Sequence, residues 1–155
     1  MKLRHIVVAL VLLAPAIARA DQMDMGQAAH IMQFDQSVAM HMFLPDANGG
    51  VMEIVVHSMD AHQIALVRSH LLDEAAKFAK GDYADPASIH GQSLPGLSAL
   101  ESSASHVSVR YFETPTGAAI MLSSANPAMV SAIHAWLSAQ KHDHDSDPQH
   151  CDMKM

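Results

Sequence analysis

The sequence predicts an α+β domain in which a β-β-α unit is used twice, giving a four-stranded antiparallel sheet with two helices on one face. Three observations predict it. Two short apolar runs, Val38 to Leu44 and Val51 to His57, flank the turn-forming stretch PDANGG. A capped amphipathic helix follows them. Further on the same order returns: His106 to Glu113, a turn at Thr114 to Gly117, Ala118 to Ser123, and a second capped helix. The two units align without a gap. Ser58-Met-Asp60 matches Ser124-Ala-Asn126, and Ile64, Val67 and Leu71 fall on Val130, Ile133 and Leu137.

The first hairpin alternates. If it is symmetric about its turn, Met40, Met42, Glu53, Val55 and His57 share one face, and His41, Phe43, Met52, Ile54 and Val56 share the other, more apolar one. A slip of one residue would exchange the faces of one strand. The helix after it starts at Ser58 or Asp60, whose side-chain oxygens can accept from the unpaired N–H groups of the first turn. Gly81 suits its stop. Ile64, Val67, Leu71, Ala75 and Phe78 form its buried stripe; His70 flanks the stripe, Glu74 lies one turn on, and His62 points to solvent. The Pro-, Gly- and Ser-rich stretch after Gly81 is a linker with helical turns around Pro86 to His90 and Pro95 to Leu100, and His90 precedes a glycine. Asn126 caps the second long helix, with Pro127 at its first position. Val130, Ile133 and Leu137 make its stripe, and His134 flanks it.

These elements bound a single domain over residues 37–141. Before it, residues 1–20 read as an export signal: Lys2 and Arg4 are followed by the apolar run Ile6 to Leu13 and the small-x-small site Ala18-Arg19-Ala20. Cleavage is expected after Ala20, into a bacterial periplasm. No other run approaches the roughly 18–20 apolar residues of a membrane span. Residues 21–36 read as a mobile arm with a short helix near Ala28 to Met32. Residues 142–155 form a tail rich in His, Met and Cys, with no apolar stripe and therefore no expected place in the core.

The 155-residue chain has a formal net charge of −7. Lys2, Arg4 and Arg19 would leave with the signal, so 6 basic residues would face 16 acidic ones, a net charge of −10. Such a surface disfavours nucleic acid and favours cations. Cys151 is the one cysteine, so an exported chain has no internal disulfide. The unusual content is 12 His and 12 Met. Imidazole suits copper, zinc and nickel, whereas thioether and thiolate favour Cu(I). The mixture points first to a copper ion, with zinc as the alternative.

The candidate ligands fall into three groups. His70, His90 and His134 are expected to converge in the body, with Glu74 or Asp73 accepting from a ligating imidazole. His57 with Met40 and Met42 is a second cluster that depends on the hairpin register; a Met-lined packing face is its plainer reading. His142, His144, His150, Cys151, Met153 and Met155 make the tail a third. The expected function is periplasmic metal binding for copper handling, as buffer, chaperone or resistance factor. The expected partners are a metal ion and another periplasmic metal-handling protein. Enzyme signatures are thin: there is no G-x-S-x-G, H-E-x-x-H or P-loop pattern. A metal-dependent hydrolase or oxidase centred on the histidines, or a metal-free partner-binding module, are the alternatives.

The stretches HLLDEAAKFAKGDYADPASIHGQSLPGL and ANPAMVSAIHAWLSAQKHDH resemble a family of small exported bacterial proteins, some labelled aspartate carbamoyltransferase. The resemblance spans Phe34 to His144 and rests on His70-Leu, Gly81-Asp-Tyr, Ile89-His-Gly, Pro95-Gly and Ala132-Ile-His134. It brings no activity with it. Carbamoyl transfer needs an S-T-R-T phosphate loop, which this chain lacks, and only Arg68 and Arg110 remain after the signal.

Overall fold

The computed structural model describes residues 24–146. Residues 1–20, expected to be an export signal, and the tail residues His150, Cys151, Met153 and Met155 lie outside the described residues. The elements run α1 (Met25–Met32), β1 (Ala39–Asp46), β2 (Gly49–Val56), α2 (Ala61–Phe78), α3 (Ala84–His90), α4 (Leu97–Ser102), β3 (Ser108–Thr114), β4 (Gly117–Ser123) and α5 (Pro127–Ser146). The architecture is the α+β one that the alternating runs predict. The sheet is antiparallel throughout, in the order β1-β2-β4-β3. The second strand of each hairpin therefore meets the other at the centre, as a duplicated unit would place them.

The hairpin register is the symmetric one: Met40 pairs with Val55, Met42 with Glu53 and Phe43 with Met52. Phe43, Met52, Ile54, Val56, Ile120 and Leu122 are buried on one face, where α2 and α5 pack. Both helices start as their caps require. Asp60 Oδ1 accepts from the N–H groups of His62 and Gln63, and Asn126 Oδ1 from that of Ala128 at 2.9 Å. Beyond α2, Gly81 has φ +78°, and a Cβ there would come within 2.7 Å of the Glu101 carbonyl oxygen, so both conformation and space ask for glycine. Arg68 ties α2 to the β3–β4 hairpin, donating to the carbonyls of Thr114 and Gly117 and pairing with Glu113. Phe78 and Tyr83 stack at 4.5 Å, and Trp136 of α5 meets both edge-on.

Three expectations are corrected. The arm is built into the body: Asp24 caps α1 by accepting from Gly26 and Gln27, and Ala28, Met32 and Phe34 are buried in the main core. Its pattern is weak because only Ala28 and Met32 of the helix face inward. The domain does not end at Lys141, because α5 runs to Ser146 and buries Gln140 and His144. Finally, the inner stripe of α5 includes Met129, Ile133, Trp136 and Leu137, while Val130 is half-buried.

Candidate functional site

Four imidazoles converge where α2, α3, α5 and β1 meet. His41 points inward from β1 between Ala39 and Phe43, a consequence of strand alternation. His144 continues the α5 stripe through Ile133, Leu137 and Gln140, a spacing of four, three and four. His90 ends α3, where Gly91 at φ +94° turns the chain away. His70 and Glu74 lie one turn apart on α2. With Gln140 and Asp85 they line a cavity of about 40 Å³, closed by Met32, Phe43, Met52, Ile54, Phe78 and Ile89. A water needs roughly 10–15 Å³ of such volume, so the space between the rings suits a very small guest.

The rings form a chain. His41 stacks on His144 at 4.3 Å with 19° between planes, and His144 tilts against His90 at 5.2 Å and against Phe43 at 5.3 Å. Phe34 caps the other end, 6.0 Å from His41 and 5.7 Å from His70. The Asp143 carboxylate, 3.1 Å away, accepts from Nδ1 of His90. That bond places the lone pair of a neutral His90 on Nε2.

Burial sets the protonation. It drives the His70 imidazole down to about 4, with nearby Lys77 acting in the same direction. It also lowers His90, against the opposing pull of Asp143. Burial pushes the Glu74 carboxyl up to about 7, although its hydrogen bond from Lys77 at 2.9 Å works against the rise. Lys77 also pairs with Asp85 and so carries the balancing charge at the chamber's edge. His70 and His90 therefore present neutral imidazoles at neutral pH, the form that can bind a metal.

The sequence-predicted ligands are placed as follows. His70 and His90 share the chamber. His134 does not join them: its Nε2 donates to the Asp46 carbonyl oxygen at 2.8 Å, tying α5 to the end of β1. His134 leaves the trio because it flanks the α5 stripe near the β1–β2 turn, far along the helix from His144. The acceptor for a site histidine is Asp143, not Glu74 or Asp73. His57 is exposed at the end of β2, and Met40 and Met42 are half-buried on the sheet face opposite the helices. His142 is exposed beside a groove along α5 that His90, Ser93, Leu94, Pro95, Ser138 and Asp143 also line. His41 is the chamber residue that the sequence reading did not single out, and His144 is a predicted ligand that belongs to the body rather than to the tail group. The signals were there: strand alternation put His41 with Phe43 and Ile54, and the α5 periodicity extends to His144.

Among the described residues, no group of three or more His, Cys, Asp or Glu side chains stands arranged around a metal position. Among them, too, no helix is long and apolar enough to cross a membrane. No known protein family, curated protein or solved structure matches this chain.

Proposed function

We propose that this protein is an exported metal-binding protein that handles copper, with zinc as the alternative ion, and that the histidine chamber is its body site. The observation that carries the reading is the convergence of His41, His70, His90 and His144 on one small cavity with otherwise largely apolar walls, with His90 aimed by Asp143. His90 and His144 are buried and His41 and His70 half-buried, and imidazoles set that deep beside a carboxyl group must be hydrogen-bonded or hold a ligand to offset the cost. With metal–nitrogen bonds of about 2.0–2.1 Å, two imidazoles on one ion have centroids about 5 Å apart. His90 and His144 already stand at 5.2 Å. The stacked His41 must turn out of its 4.3 Å contact to become a third ligand. Asp143 supplies the carboxylate that commonly orients a ligating histidine. His142 and the tail residues His150, Cys151, Met153 and Met155 add soft and borderline donors suited to collecting the ion and passing it to another periplasmic metal-handling protein.

The test is metal analysis of the chain beginning at Asp21, purified without an affinity tag, beside a version ending at Ser146. The shortened protein is expected to retain one copper or zinc ion, and His90→Ala or His144→Ala to lose it. A shortened protein that binds neither copper nor zinc overturns the chamber as a metal site.

One observation favours a second reading. The His90–Asp143 pair also borders the α5 groove, whose volume is about 510 Å³. An imidazole held by a carboxylate is a general-base arrangement, so a hydrolase using this groove is the enzymatic alternative. Ester hydrolysis that is abolished by His90→Ala, in protein free of metal, would favour it.

A further inference from the structure

Among the described residues, the helices cover one face of the sheet. The register places Met40, Met42 and Leu44 of β1, Val51, Glu53 and Val55 of β2, Ala119 and Met121 of β4, and Arg110 and Phe112 of β3 on the other. Antiparallel sheets that face water on one side usually alternate to polar residues there. This face is mostly apolar. Leu44 is 52 % exposed and Phe112 40 % exposed, while both β1 methionines, Met121, Val51 and Val55 are half-buried among their neighbours. A contiguous exposed apolar patch marks an interaction surface more often than an ordinary one.

We infer that this face is the interface of a homodimer, with a second copy of the chain as its occupant. The argument is charge complementarity. The face carries two charges, Glu53 on the inner strand β2 and Arg110 on the edge strand β3, and neither has an ion-pair partner among the described residues. They lie on opposite sides of β4: Glu53 pairs across with Ala119, and Arg110 with Met121. A two-fold axis crossing β4 between Ala119 and Met121 would bring Glu53 of one protomer onto Arg110 of the partner subunit, and the reverse. That reciprocity is what an isologous interface requires. Ala119 and Gly117 are buried at the centre, so the more exposed Leu44 and Phe112 around them make the apolar contact with the partner subunit. The rest of the chain is strongly acidic, which disfavours other self-contacts but leaves this near-neutral face free to pair.

Size sets the strength. Strands about 4.8 Å apart, rising about 3.4 Å per residue, give a four-stranded face of roughly 19 by 25 Å. Two such faces bury on the order of 1,000 Å², at the low end for a specific interface. The dimer is therefore reversible and depends on concentration.

Sedimentation of the chain from Asp21 onward, carrying Cys151→Ser to remove any thiol link, tests this between about 1 and 100 µM. A monomer–dimer equilibrium is expected. Glu53→Arg and Arg110→Glu should each weaken it by about tenfold or more, because like charges then meet. The double exchange, Glu53→Arg with Arg110→Glu, should restore it. A monomer at every concentration overturns the inference, and so does a dimer that either single exchange leaves unchanged. Failure of the double exchange to restore association overturns the proposed pairing. Circular dichroism of each variant guards against loss of the fold.

Discussion

Glu74 and His70 sit one turn apart on α2, and burial moves them in opposite directions. The Glu74 carboxyl rises from 4.5 to about 7 in the folded protein. Its contribution to stability is therefore full below 4.5 and lost as pH rises through 7, where a charged carboxylate must be kept inside. Glu74→Gln stays neutral at all pH. It should match the natural protein near pH 4.5 and exceed it above pH 7, by on the order of 2–3 kcal/mol, measured by urea unfolding at the two pH values. The His70 imidazole falls from 6.5 to about 4. Its contribution is full above 6.5 and lost as pH falls through 4. His90 shifts the same way, so the acid limb has two contributors and should begin below about pH 6.5. Asp143 acts on one atom. Asp143→Asn keeps the shape but weakens the hold on His90 Nδ1, and should lower metal affinity roughly 10–100-fold with little change in melting temperature. His134, tied to the Asp46 carbonyl, is structural: His134→Ala should cost about 0.5–1.5 kcal/mol and leave metal binding intact.

At the scale of elements, the last turns of α5 decide the most. They carry Asp143 and His144, and they seat His144 between His41, Phe43 and His90. Ending the chain after Lys141 removes that packing and opens the chamber. The melting temperature should fall by about 5 °C or more, and body metal binding should vanish. Ending it after Ser146 should leave stability unchanged. Equal melting curves for the two would show that the last turns hold nothing in place. The caps are independent of the site. Asp60 satisfies two N–H groups of α2, so Asp60→Ala should cost about 1 kcal/mol without altering metal binding.

For the whole molecule, the aromatic cluster of Phe78, Tyr83 and Trp136 joins α2 to α5. Both helices position chamber residues, so packing and site are coupled. Trp136 is completely buried, and Trp136→Ala should cost about 3–5 kcal/mol. It should also weaken metal binding, although Trp136 does not line the chamber. Retained affinity in a folded but destabilised variant would show that the chamber is held by α3 and β1 alone.

The sequence by itself determined the elements whose signals are local. Period-two alternation and PDANGG set the first hairpin and its register. Asp60, Asn126 and Pro127 marked the starts of two helices, and the repeated β-β-α order implied a four-stranded antiparallel sheet. His70 and His90 stood out because each borders an apolar pattern. What only the tertiary structure decided was which histidines meet. His134 flanks its stripe much as His70 does, and nothing local reveals that it faces the β1–β2 turn. His144 lies in a polar-looking segment, KHDHDS; the α5 period reaches it, but its contact with His41 and His90 follows only from how α5 lies across β1. Asp143 reaches His90 across more than fifty residues of chain, a contact that no sequence period encodes. Strand alternation and capping act over a few residues, and the chain carries them in its order. The chamber depends on how the helices are laid over the sheet, and that is a property of the packed whole.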